Sequence, residues 1–207
     1  MANWIDSNLA ASLVGVGGTL AGILVGSWIA TRQQRADTEA KTRSYISAIG
    51  MELEDQSTAI LNVSEYLQYL GPDRSIPSKE IFGLSRHLPG TPHVFRGLIN
   101  NLVFLNPDTA SYLVQYHSEI ERARETTFRI IDVVGLTKSK ALTAEEFELL
   151  TKKWRSAANM GYLVIIRLLA CHEAAIPANV GTLLRTSAKL LSEASAGKLE
   201  DWEHPDV

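Results

Sequence analysis

From Leu9 to Ala30 the chain reads LAASLVGVGGTLAGILVGSWIA, with no charged side chain and only small hydroxyls as polar groups. A helix of that length rises about 33 Å at about 1.5 Å per residue, enough to cross the hydrocarbon core of a bilayer. The run therefore predicts a transmembrane anchor from which the remaining residues hang.

The flanks of the run give it a direction. Residues 1–8 carry no Lys or Arg, so the positive start of a cleaved signal peptide is missing, and the run is longer than a typical signal core. Arg32, Arg35, Lys41 and Arg43 follow it, and basic residues hold that end in the cytoplasm. Trp4 and Trp28 bracket the run at the spacing expected of membrane-interface residues. The expectation is a single-pass protein of the plasma membrane with residues 1–8 outside. Inside the run Gly18, Gly22 and Gly26 recur every fourth residue, and Ser12 and Gly15 extend the small-residue face. Side chains are thus missing from one helical stripe, so a second helix can approach closely. The stripe predicts self-association or docking on a partner's membrane helix, against the plain alternative that glycine is common in such helices.

The anchor and leader leave a length typical of one domain. The expected boundaries are 9–30 for the membrane helix, 31–45 for a basic juxtamembrane helix, 46–197 for a cytoplasmic helical bundle and 198–207 for a tail. The chain as a whole is 45% hydrophobic and 21% charged, which leaves this domain material for a core. The formal charge of -3 argues against a phosphate-binding surface as the main role, so no nucleic-acid partner is expected. Cys171 is the only cysteine, which excludes an intrachain disulfide.

From Ile46 the spacing is helical: Ile46, Ile49, Leu53, Gln56, Ile60, Val63, Leu67 and Leu70, with Gln56 the one polar member. Flanking Gly50, Ser57, Ala59, Ser64 and Tyr66 widen the face rather than fencing it with charge. That pattern favours packing within a bundle over a coiled coil between chains. Gly71-Pro72 stops the helix, and the Pro-rich stretch to Pro92 reads as loop with a short helix after Ser78. A short apolar helix is expected over 94–105. Asn106-Pro107-Asp108 starts the next helix, whose inner face carries Leu113, Tyr116 or His117, Ile120, Thr127, Ile131 and Val134, with Gly135 as its cap. Thr143-Ala144-Glu145-Glu146 is a capping box opening a helix to about Ala175. Its stretch Met160–Cys171 is apolar nearly all round and reads as a buried central helix. Arg167 would then be a buried charge, needing Glu119, Glu121 or Glu125 as acceptor unless its long side chain reaches solvent. Pro177 breaks the chain before a last helix whose inner stripe is Val180, Leu183, Leu184, Ser187, Leu190, Leu191 and Ala194.

Signals for chemistry are thin. His87 and His93 have only Glu80 near them and make a poor metal site, so no metal is expected. Cys171-His172-Glu173 places a thiol beside a base, but consecutive helical residues point about 100° apart. The sequence holds no GxxxxGK[ST], HExxH, CxxC or GxSxG motif, and strand-like alternation is scarce. No cofactor and no catalytic residue are assigned, and the fold class expected is all-α.

Gly15 to Trp28 and Arg32 to Arg35 together resemble a broad group of bacterial and phage-encoded single-pass membrane proteins of uncharacterised activity. These have a short outside N-terminus, a Gly-rich anchor and a cytoplasmic helical domain. The resemblance implies a bacterial inner-membrane location and transfers no functional residue. The expected function is a non-enzymatic adaptor or assembly protein that binds the lipid bilayer and either forms a homo-oligomer or holds a membrane protein. The alternatives are a holin- or toxin-like membrane effector and an enzyme of unfamiliar motif.

Overall fold

The computed structural model describes residues 2–71, 78–98, 102, 104–136 and 142–196, with side chains described from residue 23 onward except at 78, 79, 98 and 136. The described residues form six α-helices and no strand, which makes the chain all-α. They are α1 (Ala2–Leu70), α2 (Ser78–Leu84), α3 (His93–Leu98), α4 (Pro107–Leu136), α5 (Ala144–His172) and α6 (Ala178–Ala196), with a single 3-10 turn, Glu173–Ala175, between the last two. The chain divides into two units, Met1–Arg43 and Ser44–Val207.

In the first unit every described side chain is exposed except Thr42, which is half-buried. The apolar turn Ile23–Ile29 gives way to polar helix at Thr31. Thr31 and Thr38 each donate their hydroxyl to the carbonyl four residues back, so these groups satisfy themselves.

The second unit is a helical bundle. All eight seam positions from Ile46 to Leu70, Gln56 included, are buried within one chain. The intramolecular reading of the seam therefore holds. Gly50 lies against Val180 and Leu184, while Ser64 and Leu67 share a cleft with Ala194, so α6 runs alongside α1 in the same direction. Asp108 meets Arg167, Glu119 meets Ser156 and Thr127 meets Trp154, so α5 runs antiparallel to α4. A parallel α1–α4 pair cannot be joined by a tight turn, and α2 and α3 lie in the connection.

Helix ends follow local chemistry. Gly71 adopts φ +64° and its N–H reaches the Leu67 carbonyl at 3.2 Å, the left-handed cap that glycine takes without a Cβ clash. Asn106 Oδ1 accepts from the Asp108 N–H at 3.0 Å. Thr143 and Glu146 complete the capping box in both directions, at 3.2 Å and 2.9 Å.

Several expectations are corrected. Gly135 does not cap α4, because the helix continues to Leu136; a Cβ there would stand 3.0 Å from Phe82 Cζ, so the glycine makes room for α2. Of the helix expected over 94–105 the described part is His93–Leu98, and residues 99–101 and 103 lie outside the described residues. Leu183 points outward at 49% exposure and Gly181 takes an inner position, because the inner stripe of α6 is narrower than its apolar sequence. Likewise α5 is not buried all round: Ile166 is 44% exposed. It is covered by neighbours on part of its circumference and open on the rest. The tail 198–207 lies outside the described residues.

The seam yields a stability prediction. Ile60→Ala, at a fully buried position, is expected to cost about 2–5 kcal/mol, and Met51→Ala, at an exposed one, under about 0.5 kcal/mol. Urea unfolding with a midpoint independent of protein concentration checks both the values and the single-chain packing.

Candidate functional site

Three features stand apart from ordinary core. The first is the uncovered apolar turn of α1. Ile23, Leu24, Val25 and Trp28 are all more than half exposed, and Ile29 is 44% exposed. A Cβ on Gly26 would meet nothing within 4 Å. The Arg32 guanidinium lies 5.4 Å from the Trp28 ring centroid, a cation–π contact between two exposed groups. Arg35 is exposed and polar helix follows it. Ser12, Gly15, Gly18, Gly22 and Trp4 lie outside the residues whose side chains are described. Among the described residues, no helix is long and apolar enough to cross a membrane.

The second is a polar seam where α1, α3 and α4 meet. Glu52 accepts from the Val94 and Phe95 N–H groups, both at 2.7 Å, and so ties the first turn of α3 to α1. A carboxylate suits that place because the first N–H groups of a helix have no partner within it. Phe95 in turn stacks on His117 at 3.9 Å between ring centroids. His117 is buried, its Nδ1 has no hydrogen-bond partner, and burial pushes its pKa down to about 4. Next to it Tyr116 is fully buried; burial raises its phenol pKa, and the neighbouring Ser57 hydroxyl acts in the opposite direction. Gln56, the one polar residue of the apolar seam, is buried with Oε1 unpartnered and lies beside Glu52 and Val94. A shallow cleft of about 370 Å³ lies outside it, edged by Asp55, Thr91 and His93.

The third is an apolar cleft among α1, α5 and α6, floored by Leu67, Phe147 and Trp154. The Trp154 indole N–H donates to Thr127 Oγ1 at 3.1 Å, which fixes the ring against α4. No feature of the sequence marked this cleft, since its walls come from residues more than 80 apart along the chain (Leu67 and Trp154).

The remaining candidates take ordinary places. Arg167 is not a buried charge: its side chain is 44% exposed and pairs with Asp108 at 3.0 Å. The carboxylate comes from α4 as expected, but from its first turn, because α5 crosses α4 with its C-terminal end beside the start of α4. Glu119 and Glu121 serve other partners, Arg122 and Ser156 for the one and Arg96 and Arg124 for the other. Cys171 is exposed, while His172 Nε2 accepts from the Asn106 N–H at 3.3 Å and burial lowers its pKa. This contact links the ends of α4 and α5 and does not turn His172 toward the thiol. His87 stacks on Tyr66 at 4.9 Å, and the Tyr66 hydroxyl donates to the Glu80 carbonyl at 2.6 Å. Among the described residues no three His, Cys, Asp or Glu side chains gather as metal ligands.

Comparison with family models, curated proteins and solved structures finds no match for this chain.

Two measurements follow from this geometry. The depressed pKa of His117 means that the unfolded chain binds a proton below about pH 6.5 while the folded chain stays neutral there. Stability therefore falls as pH drops from about 6.5 toward 4, by up to about 1.4 kcal/mol per unit. His117→Gln should flatten that slope in urea melts at pH 7 and pH 4.5. At the other site, Arg167→Gln should change stability by less than about 1 kcal/mol, the range of an exposed pair, where loss of one partner of a buried pair costs about 3–5 kcal/mol.

Proposed function

We propose that this protein is a non-enzymatic, membrane-tethered helical adaptor or assembly protein. The observation that carries the reading is the run of consecutive exposed side chains from Ile23 to Ala30, apolar apart from Gly26 and Ser27. Apolar surface left in water costs about 25 cal/mol per Å², and a patch extending around a whole helical turn calls for a cover. The run continues without charge back to Leu9 in the sequence, so the cover is the bilayer, with Leu9–Ala30 as its span. Trp4 and Trp28 then sit at the two interfaces, and Arg32 and Arg35 keep the bundle on the cytoplasmic side. The stripe Ser12, Gly15, Gly18, Gly22 and Gly26 is the face for a second copy or a partner's membrane helix. Tethering raises the local concentration of whatever the bundle binds, so a modest surface suffices.

The test is fractionation and crosslinking of the full chain in bacterial membranes. The chain is expected to resist alkaline carbonate extraction, and Gly22→Ile is expected to reduce crosslinked oligomers by about tenfold. Recovery in the soluble fraction would overturn the anchor. Loss of membrane potential on induction would replace the adaptor with a membrane effector.

A further inference from the structure

The apolar cleft described above has a volume of about 270 Å³ and opens where the C-terminal ends of α1 and α6 meet the start of α5. Its floor residues Leu67, Phe147 and Trp154 are each at least nine-tenths buried. The hydroxyls on its walls are committed: Ser64 donates to the Ile60 carbonyl at 2.9 Å and Thr151 to the Phe147 carbonyl at 3.0 Å. On its rim stands the exposed Arg155, and a shallower groove continues past it to Lys152. Arg155 and Lys152 have no ion-pair partner among the described residues. An apolar floor with a cationic rim unpaired among the described residues suits an aromatic side chain flanked by carboxylates.

A segment of that composition begins at the cleft itself. Ala194 is one of its walls, the described residues end at Ala196, and the sequence continues GKLEDWEHPDV. Trp202 lies there among Glu200, Asp201, Glu203 and Asp206, against the one Lys198. Six residues of extended chain reach up to about 20 Å, so Trp202 has ample slack to return to the cleft. We propose that the cleft is the docking site of the chain's own segment 197–207, with the Trp202 indole on the Phe147–Trp154 floor and the flanking carboxylates against Arg155 and Lys152. The tether supplies an effective concentration of order millimolar, so a weak contact is enough to hold the segment.

Intrachain disulfide trapping in the full chain tests the proposal. In a Cys171→Ser background, Asp201→Cys is combined with Thr151→Cys on the cleft wall or with Lys189→Cys on the exposed side of α6. Lys189 lies only about 10 Å along the helix from the root of the segment, so an undocked tail reaches it readily. The 201–151 disulfide is expected to form about tenfold faster than the 201–189 disulfide under mild oxidation, the enrichment coming from docking beyond the tether itself. Arg155→Glu with Lys152→Glu, or about 1 M salt where the Debye length is about 3 Å, should weaken that preference. Equal rates for the two pairs would overturn the proposal. So would 201–151 disulfides forming between chains rather than within one, which would assign the cleft to a second copy.

Discussion

The burial of one stripe on the second half of α1 is the interaction on which the bundle depends. Ile46, Leu53, Ile60, Val63 and Leu70 have almost no exposed surface, and each buried Leu or Ile side chain contributes about 1.5–3 kcal/mol. The same stripe faces α6 at Gly50 and shares with α5 the cleft around Leu67. Covering it fixes where these helices stand. It also fixes the connection, because α1 and α4 run in the same direction and the chain must travel back between them. Residues 78–98 lie in that return and are fastened by the Glu52 carboxylate at α3 and the Tyr66 hydroxyl at α2.

Polar groups inside this bundle hold the helices in position. Trp154 and Thr127 join α5 to α4, and Glu52 pins α3. His117, Tyr116 and Gln56 share a region in which burial disfavours the charged forms of His117 and Tyr116. A histidine kept neutral and stacked on a phenylalanine is a packing element at neutral pH. Its energetic effect is the loss of stability when the unfolded chain begins to take up protons that the folded chain refuses.

Contrasting surfaces lie outside the core. Ile23 to Ile29 is apolar and uncovered, and the following helix to Arg43 is polar on all sides. The cleft at Phe147 and Trp154 is apolar, and the cations at its edge have no ion-pair partner among the described residues.

Much of the all-α fold was legible in the sequence because the signals are local. Gly71, Asn106-Pro107, the Thr143–Glu146 box and Pro177 act on backbone groups within a turn of themselves, so their effect needs no knowledge of distant residues. The 3-4 spacing from Ile46 to Leu70 likewise names the buried face of α1, since a helix's period is fixed by its own geometry. Arg167, Ile166 and Leu183 were misread for the opposite reason. Whether a helical position is covered depends on the crossing of α4, α5 and α6, and sequence distance says nothing about which carboxylate arrives beside a guanidinium. Asp108 rather than Glu119 pairs with Arg167 because antiparallel packing brings the start of α4 to the end of α5. The polar seam was half visible in Gln56, and the Trp154 cleft not at all, since its walls meet only after folding. The sequence by itself determined where helices begin, where they end and which stripe of α1 is apolar. Tertiary packing alone decided which faces stay open, because exposure is a property of neighbours and not of the residue.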